Sequence, residues 1–369
     1  MKIALVHDYL NQYGGAERVL EKLAEMFPDA PIFTLLYYPQ NIPSESVIHR
    51  RKIITSFLQK VPLAKKYHRP FIFFAPSAIE QIDLSDYDLV ISSSASFAKG
   101  VITRSNILHL CYCHTPTRYL WDDACRFAKN YRPFSLSKPL IPILLNYLRL
   151  WDFQAAQRAD LLIANSNFIL QRIKKHYRRK SEVIYPPVRI NKYYFAEPDN
   201  YFLAVGRLLP YKRFDLIVNA FNYLGWPIKI VGAGREEGRL KKMAKNNIKF
   251  LGKVSDQQLI DLYAHSRALI FPQEEDFGLV VIEALASGKP VIAFGAGGAL
   301  ETVKDGENGI FFTRQTEDSL IQALKKFEKI SFSSPERIRQ SVQKFDEKVF
   351  EEKFRKVVEN LTVNNHNLN

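Results

Sequence analysis

The sequence predicts an α/β protein made of two Rossmann-like domains. Short apolar, β-branched segments alternate with helical segments along most of the chain, which is typical of mostly parallel sheets covered by helices. A chain of 369 residues is long for one hydrophobic core and natural for two. Pro186–Pro187 interrupts the alternation, and a polar, aromatic connector continues to about Asn200. We therefore expect an N-terminal domain over residues 1–187 and a C-terminal domain over residues 188–369.

The N-terminal domain contains six candidate strands. They are Ile3–Val6, Pro31–Leu35, Leu89–Ser92, His109–Cys113, Leu161–Ala164 and Glu182–Tyr185. Gly14 and Gly15 follow the first strand and open a helix that begins near Ala16, so the backbone there can approach a ligand closely. His114 follows the fourth strand on a loop with Thr115–Pro116, and this position argues against its burial. The nearby Arg118, Tyr119, Trp121 and Asp122 are candidates for shaping a pocket.

The C-terminal domain repeats the alternation. Its candidate strands are Phe202–Val205, Ile228–Val231, Ile248–Leu251, Ala268–Phe271, Val291–Phe294 and Gly309–Phe312. Arg207 follows the first of these strands, and Lys212 lies near the opening of the next helix. A charged helical stretch from Pro335 to about Leu361 follows the last strand.

Two glutamates in the segment ALIFPQEEDFGLVVIEALASGKPVIAF are the most informative residues about function. Glu275 follows a predicted strand, at the sheet edge where open α/β sheets bind ligands. Gly278 permits close approach of a ligand, and the N–H groups of Leu279 and Val280 begin the next helix, which favours a phosphate. Glu283 lies about one turn further along, and its carboxylate suits the vicinal hydroxyls of a ribose. The alternative is an exposed acidic loop before an ordinary amphipathic helix.

The net charge of +14 is concentrated in the first half of the chain. Residues 1–187 hold 25 Lys and Arg residues against 15 Asp and Glu residues, with basic clusters at 65–69 and 172–180. Because no recognised nucleic-acid module accompanies this charge, we expect an anionic membrane surface as partner and no nucleic acid. The apolar stretch 139–151, between Lys138 and Arg149, suits contact with lipid, and a packed core helix is the alternative.

Several other classes are disfavoured. No signal peptide is visible and no apolar run approaches ~18–20 residues, so we expect a cytoplasmic protein, peripheral on the inner face of the cell membrane. Cys111, Cys113 and Cys125 form neither a disulfide framework nor a zinc pattern, and the first two are expected in the core. Asp86 and Asp88 precede a strand, which is the wrong end for a substrate site, so they are not expected to bind metal.

The segment with the two glutamates resembles the E-x7-E signature of retaining, GT-B-fold glycosyltransferases of group 1, family GT4. Three further blocks match in the same order: KIALVHDYLNQYGGAERVLEKLAEMF, YFLAVGRLLPYKRFDLIVNAF and GAGGALETVKDGENGIFF. The segment CYCHTPTRYLWD is similar to that of bacterial O-antigen mannosyltransferases. The resemblance implies two Rossmann-like domains facing across a cleft, an N-terminal one for the acceptor and a C-terminal one for the donor. The final helix, about 335–361, would pack back on the N-terminal domain.

The resemblance also assigns roles to individual residues. Arg207 and Lys212 match the pair that binds the donor diphosphate, His114 matches the active-site histidine, and Glu275 would bind hydroxyls of the sugar. These four form the catalytic set. The donor-binding set is Gly14, Gly15, Arg207, Lys212, Lys253, Val254, Glu275, Phe277, Gly278, Leu279, Val280 and Glu283. Gly297 and Gly298 are expected to add N–H donors to phosphate, and Glu301 a further contact. No cofactor or metal ion is expected, since cations and N–H groups can neutralise the leaving diphosphate.

The implied reaction is transfer of a hexose, with retention, from a nucleotide-sugar to a hydroxyl of a lipid-linked or polysaccharide acceptor. The subgroup resemblance implies mannose from GDP-mannose. A UDP-sugar-dependent enzyme of the same family, a nucleotide-sugar epimerase of the same fold and a non-catalytic sugar-binding relative are the alternatives. The sequence leaves open whether retention follows a front-side route or a covalent intermediate.

Overall fold

The structure, a computed structural model, describes residues 1–61, 69–125, 127 and 141–366. Residues of the chain group into two compact units, each with most of its contacts inside itself. One comprises Met1–Pro187 together with the chain from Glu351 onward, and the other comprises Val188–Phe350. Residues 65–68 of the first basic cluster, residues 139–140 of the apolar stretch and the flanking Lys138 lie outside the described part.

The first unit is built on a seven-stranded parallel sheet in the order β3-β2-β1-β4-β5-β6-β7. The strands are β1 (Ile3–His7), β2 (Ile32–Thr34), β3 (Ile53–Thr55), β4 (Leu89–Ser94), β5 (Leu108–Cys113), β6 (Leu161–Ala164) and β7 (Glu182–Val183). The helices that follow are α1 (Gly15–Met26), α2 (Ala75–Glu80), α3 (Ile141–Arg158) and α4 (Asn167–His176). Every residue of β4 is buried, as expected for a central strand covered on both faces.

The second unit has a six-stranded parallel sheet in the order β10-β9-β8-β11-β12-β13. The strands are β8 (Phe202–Val205), β9 (Ile228–Val231), β10 (Ile248–Gly252), β11 (Leu269–Phe271), β12 (Val291–Phe294) and β13 (Gly309–Phe312). The helices are α5 (Phe214–Leu224), α6 (Glu237–Met243), α7 (Asp256–His265), α8 (Leu279–Ala286), α9 (Ala299–Thr302), α10 (Glu317–Phe327), α11 (Pro335–Gln340) and the beginning of α12 (Glu347–His366). The hydrophobic core of this unit joins the sheet to α5 and α10.

Both sheets reverse their strand order at one point. In the first sheet β1 lies beside β4, and in the second β8 lies beside β11. Chains leaving such neighbouring strands diverge to opposite sides, which opens a crevice at the carboxyl ends of the strands where α/β proteins bind ligands. The loops after β8 and β11 carry Arg207, Lys212 and Glu275. The fold therefore places the strongest sequence-derived candidates at the switch point of the second sheet.

The predicted fold class of two parallel α/β domains is confirmed, and every predicted strand is present with its ends within two residues. Two local predictions are incomplete. The sequence analysis does not predict β3, which is only three half-buried residues at the sheet edge. The single helix expected over 335–361 is two helices, because the chain leaves α11 at Ser341 and begins α12 at Glu347. The part of α12 from Glu351 groups with the first unit.

Candidate active site

An ion pair between Lys212 and Glu275 marks the candidate site in the second domain. Lys212 ends a 3-10 turn after β8, and Glu275 lies in the loop after β11. The Lys212 ammonium donates a hydrogen bond to Glu275 Oε1, and the two side chains are 13% and 18% exposed. The fold thus joins two predicted residues that are 63 positions apart in the sequence. A largely buried cation at this edge is suited to an anionic ligand, provided that the ligand replaces Glu275 as its partner.

The backbone around Lys212 is held on both sides. Leu208 is buried, and its N–H donates to the carbonyl oxygen of Ala233 at 3.0 Å. Arg213 adopts a left-handed conformation with φ of 54°, which is uncommon for a residue other than glycine, and α5 begins immediately after it. Its guanidinium hydrogen-bonds to Asp215 Oδ1 at 3.2 Å. The turn that carries Lys212 is therefore fixed by local structure.

Tyr211 is a site residue that the sequence analysis missed. Arg207 Nη2 donates to the Tyr211 hydroxyl at 3.3 Å, and the Lys212 ammonium lies 5.3 Å from the centroid of the same ring. Arg207 itself is exposed, so its guanidinium is accessible to a ligand. The available signal in the sequence is the position of Tyr211 beside a predicted phosphate-binding lysine.

Gly278 shapes the start of α8. It has a φ of 92°, and no side chain caps the helix. The N–H groups of Leu279 and Val280 belong to the first turn, where backbone donors have no intrahelical partner, so they are placed to bind an anion. Phe277 is buried, and its predicted contact with the donor stays a prediction. Its ring is 3% exposed and packs against Phe345 with centroids 5.3 Å apart, so the side chain supports the loop.

Glu283 is less accessible than the sequence suggests. Its side chain is 1% exposed, and the hydroxyl of Tyr263 donates to its Oε2 at 2.8 Å. The physical reason is that residues Val281–Ala286 of α8 are all buried, so a carboxylate among them requires a buried partner. A ribose would meet a carboxylate that is already oriented by Tyr263.

Gly298 does not serve its predicted role as a phosphate donor, and the same role for Gly297 stays a prediction. The N–H of Gly298 donates to the carbonyl oxygen of Glu275 at 2.8 Å, so the prediction for this group is wrong. A Cβ on Gly298 would lie 2.4 Å from Phe277 Cα, and one on Gly297 would lie 2.4 Å from the Glu275 carbonyl oxygen. The two glycines are needed because the loop after β12 packs directly on the backbone of the Glu275 loop.

Lys253 and Val254, the candidate base contacts, follow β10 at the same carboxyl edge. Lys253 is exposed and Val254 is half-buried. In the sheet, β10 is separated from β8 by β9, so these residues lie two strands from the strand that leads to Lys212. Their contact with the base of the nucleotide stays a prediction.

The loop after β1 in the first domain forms hydrogen bonds with other residues of the same domain. The N–H of Gly14 donates to Glu17 Oε2 at 2.8 Å, and Gly15 begins α1. Asp8 directly follows β1, and its carboxylate accepts hydrogen bonds at 2.6–2.8 Å from the backbone N–H groups of residues 95–98, in the loop after the neighbouring β4. The loops that leave β1 and β4 are therefore tied together by Asp8, another residue that the sequence analysis missed.

His114 is buried, contrary to the expectation from its loop position. It is 8% exposed, its backbone N–H donates to the Ser94 carbonyl oxygen at 2.8 Å, and its Nε2 lies 2.8 Å from Ser93 Oγ. Burial, together with the charge of His7, lowers the pKa of the His114 imidazole to about 3. His114 is therefore neutral near pH 7, which fits a hydrogen-bonding role.

Two buried charged residues hold the loop that follows His114. Arg172 on α4 donates from Nη1 to Thr115 Oγ1 at 2.7 Å. Asp152 on α3 accepts from Thr117 Oγ1 at 2.6 Å and from Trp121 Nε1 at 2.7 Å. These contacts fix a loop that sequence patterns alone leave unspecified.

Lys99 and Tyr177 complete the environment of Asp152. The Lys99 ammonium lies 2.6 Å from Asp152 Oδ1, and the Tyr177 hydroxyl donates to Asp152 Oδ2 at 2.8 Å. Both side chains of the ion pair are 1% exposed. This cluster was not predicted, although Lys99 inside the apolar segment FAKGV and Asp152 inside RLWDFQAA are usable signals.

The described residues contain no group of three His, Cys, Asp or Glu side chains that is placed to hold a metal ion. Cys111 and Cys113 are buried in the core, as predicted. None of the helices within the described ranges is both long and apolar enough to cross a bilayer.

Comparison with known sequences gives matches along nearly the whole chain. A family profile described as "Glycosyl transferases group 1" matches residues 189–345, and one described as "Glycosyltransferase Family 4" matches residues 13–192. An uncharacterized glycosyltransferase of Methanocaldococcus jannaschii is 27% identical over 333 residues, which cover 87% of this chain and 86% of the relative. An alpha-1,3/1,6-mannosyltransferase of Dictyostelium discoideum is 26% identical over 334 residues, covering 76% of this chain and 73% of the relative.

Comparison with solved structures addresses the fold. The Anabaena protein HepE, solved in complex with UDP and glucose, matches with a TM-score of 0.71 at 20% sequence identity. The match covers 97% of this chain and 99% of HepE. The predicted GT-B architecture is confirmed by this likeness.

Proposed function

Because this chain belongs to the group 1 glycosyltransferases of family GT4, we propose that it transfers mannose from GDP-mannose to a hydroxyl of a lipid-linked or polysaccharide acceptor. The proposed reaction retains the anomeric configuration of the donor and needs no metal ion. The observation that carries the proposal is the ion pair of Lys212 and Glu275 at the switch point of the second sheet. The proposal places the donor diphosphate at this point.

The chemistry of the pair suits departure of a nucleoside diphosphate. Negative charge grows on the diphosphate as the glycosidic bond breaks, and fixed cations stabilise it. Lys212 supplies a point charge and Arg207 a planar fork, while the N–H groups of Leu279 and Val280 add backbone donors. On donor binding the diphosphate replaces Glu275 as the partner of Lys212. The Glu275 carboxylate is then available to accept hydrogen bonds from hydroxyls of the sugar.

The choice of mannose is supported by the similarity to the Dictyostelium mannosyltransferase, and the choice of GDP rests on the resemblance of the segment CYCHTPTRYLWD. The second candidate is a UDP-sugar, and the observation that favours it is the likeness to HepE, which was solved with UDP. Both candidates keep the same residues in the same roles, and they differ in the base and the sugar.

The proposed location is the inner face of the cell membrane, with α3 against the lipid. Ile143, Tyr147 and Leu150 are 66%, 49% and 63% exposed, while Leu145 and Leu148 are buried. The three exposed residues follow the spacing of one helical face, so an apolar stripe lies on the outside of a helix whose other face packs in the core. The excess of basic residues in this half of the chain complements an anionic surface.

A panel of nucleotides, followed by a transfer assay, tests the proposal. We expect thermal stabilisation of the purified protein by GDP and GDP-mannose, and by neither UDP nor ADP nor their sugar conjugates. With GDP-mannose and lipid-linked acceptors we expect an α-mannosyl product, identified by its anomeric proton resonance, in the presence of excess EDTA. A selective response to UDP-sugars contradicts the mannose assignment. Conversion of a nucleotide-sugar without any acceptor indicates an epimerase, and silence with every donor indicates a non-catalytic protein.

A matched pair of variants distinguishes loss of a functional contact from a general effect on folding. Glu275→Gln removes the charge that pairs with Lys212, and Glu274→Gln makes the same change one residue earlier, on an exposed side chain. We expect loss of transfer in the first variant and near-parental transfer in the second. Equal activity in both contradicts the assignment of Glu275 to the sugar.

A further inference from the structure

Four buried side chains in the first domain form a continuous chain that ends at His114. Glu17 Oε1 lies 3.6 Å from His7 Nε2, His7 Nδ1 lies 3.2 Å from Ser93 Oγ, and Ser93 Oγ lies 2.8 Å from His114 Nε2. Their exposed fractions are 3% for Glu17, 2% for His7, 0% for Ser93 and 8% for His114. The chain joins α1, β1, β4 and the start of the loop after β5.

The serine in the middle restricts the protons on its two neighbours. A hydroxyl carries one proton and can accept twice, so it donates to at most one imidazole. If the buried Ser93 accepted from both rings, its own proton would have no acceptor among the described contacts, which is costly, so Ser93 donates to one ring and accepts from the other. When Ser93 bonds to both rings, one of the two facing nitrogens, His7 Nδ1 and His114 Nε2, carries a proton and the other does not. The proton positions of the two histidines are therefore opposite to each other.

We propose that Glu17, His7 and Ser93 are positioning residues that set which ring nitrogen of His114 carries its proton. The catalytic importance of His114 rests on the proposed function, whereas the coupling itself rests on the hydrogen-bond geometry. His114 remains the residue that contacts the substrate. The other three act on it through the serine hydroxyl.

The charge of His7 determines which ring nitrogen of His114 carries the proton. When His7 is neutral, the Glu17 carboxylate favours a proton on His7 Nε2, so Ser93 donates to His7 and accepts from His114 Nε2–H. His114 Nδ1 is then an acceptor, suited to a sugar hydroxyl. When His7 is a cation, it donates to Ser93, and Ser93 donates to His114 Nε2. His114 Nδ1 then carries the proton and can donate to an oxyanion.

The surroundings leave this coupling undisturbed. Tyr112 packs its ring against His114 with centroids 5.2 Å apart, but its hydroxyl donates to the Ile184 carbonyl oxygen at 2.8 Å. Glu17 has the N–H of Gly14 on its second oxygen, which holds the carboxylate in place. Because burial keeps the pKa of His114 near 3, its tautomer and not its charge is the variable near neutral pH.

The coupling can be measured directly by NMR. We would record long-range proton–nitrogen correlation spectra of protein labelled with 15N-histidine at pH 7.5, with resonances assigned from His7→Asn and His114→Asn. We expect one protonated and one bare nitrogen at the two positions that face Ser93. Two protonated nitrogens, or two bare ones, would overturn the proposal. In Glu17→Gln, which weakens the preference for a proton on His7 Nε2, we expect any change of tautomer at His7 to be matched by the opposite change at His114.

Kinetics distinguish positioning from folding through a matched serine. Ser93→Ala removes the link to His114, whereas Ser92→Ala removes an equally short hydrogen bond of 2.8 Å to His109. We expect Ser93→Ala to lower kcat on the order of 10–100-fold, in the range seen when an orienting partner is lost. Ser93→Thr, which keeps the hydroxyl, should recover most of the loss, and Ser92→Ala should leave kcat near the parent value.

The two experiments separate the inference from the function on which it rests. Opposite proton positions at His7 and His114 in a protein without transferase activity would refute the proposed function and keep the coupling. Transferase activity with equal loss in Ser92→Ala and Ser93→Ala, or without rescue by Ser93→Thr, would refute positioning through Ser93 and keep the function.

Discussion

Tyr263 and Glu283, which are 20 residues apart in the sequence, form a buried hydrogen bond of 2.8 Å between α7 and α8. The bond joins the helix that follows the Glu275 loop to its neighbour. It means that the second glutamate of the E-x7-E signature is oriented before any ligand arrives. Orientation of this kind lowers the entropic cost of binding.

Glu283→Gln should weaken GDP binding by about tenfold or more, about 1.4 kcal/mol, because the variant loses a charged acceptor for ribose hydroxyls. Tyr263→Phe should destabilise the protein by about 1–3 kcal/mol, since a buried carboxylate loses a donor. Isothermal titration calorimetry with GDP measures the first effect and chemical unfolding the second. Asp261→Asn, which makes the same change of charge on α7 at a half-buried residue and keeps an acceptor for the Tyr194 hydroxyl, is the control. GDP affinity equal to that of the parent in Glu283→Gln would exclude the ribose contact.

Lys212→Met should lower kcat by a factor on the order of 10²–10³ and change the affinity for GDP-mannose much less. The reason is that its ammonium matters most when charge grows on the leaving diphosphate. Steady-state kinetics and a direct binding assay give the two quantities. Lys241→Met removes an exposed cation from the same domain, paired with Glu237, and should leave both near the parent values. Unchanged turnover in Lys212→Met would refute its assigned role.

Lys99→Met should reduce the free energy of unfolding of the first domain by about 3–5 kcal/mol, because it leaves the Asp152 carboxylate buried without its cation. Arg355→Met, which breaks an exposed pair with Glu351, should cost less than about 1 kcal/mol. Urea unfolding followed by tryptophan fluorescence reports on this domain through Trp121 and Trp151, while Trp226 reports on the second domain. A cost for Lys99→Met as small as that of the exposed pair would show that other donors compensate for the ammonium.

Acid should destabilise the protein partly through His109. Its burial, with the charges of Arg158 and Arg179, lowers its pKa from 6.5 to about 4. Below pH 6.5 the unfolded chain binds a proton that the folded chain does not, so stability is full above that pH and falls toward about pH 4, by up to about 1.4 kcal/mol per pH unit. His109→Gln should flatten this slope in urea titrations, and His49→Gln, on an exposed residue, should not. An unchanged slope in His109→Gln would assign the loss to other groups.

Replacing Ile143 and Leu150 together with Gln should reduce binding to vesicles that contain anionic lipid. Each side chain contributes about 1.5–3 kcal/mol when fully buried in an apolar phase, so a loss of at least tenfold is expected. Co-sedimentation measures it, and higher salt should weaken binding of the parent. Tyr223→Gln changes a residue that is 69% exposed in the second domain and serves as control. Equal binding of all three proteins would refute contact through α3.

The sequence was sufficient for the order of strands along the chain and for placing Lys212 and Glu275 at the ligand-binding edge of the second sheet. Parallel strands in a central sheet are apolar along their whole length, and the loops that matter follow such strands directly. The partners of Glu283 and His114 could not be predicted in this way. Tyr263 and Ser93 are ordinary residues within a helix and a strand, and only the packing of distant segments brings them into contact.

Burial of charge was also beyond the sequence patterns. In the sequence, Asp152 looks like a polar interruption of an apolar helix and Lys99 like an isolated cation. In the folded chain the two form a buried ion pair, so each neutralises the charge of the other. Gly298 shows the opposite difficulty. Its sequence context suggests a phosphate loop, and the actual constraint is contact with the Phe277 backbone. Steric needs of this kind depend on the distance between two loops, which no local pattern contains.

The four N–H groups that bind Asp8 have a consequence for how the two domains divide their work. Both sheets share the strand order that creates an anion-binding edge, but in the first domain the edge already holds an anion that is part of the polypeptide. A tethered carboxylate has a high effective concentration, so a phosphate arriving there would compete against a partner that cannot diffuse away. At this edge of the first sheet, the backbone donors of residues 95–98 are thus already occupied by the protein's own Asp8 carboxylate.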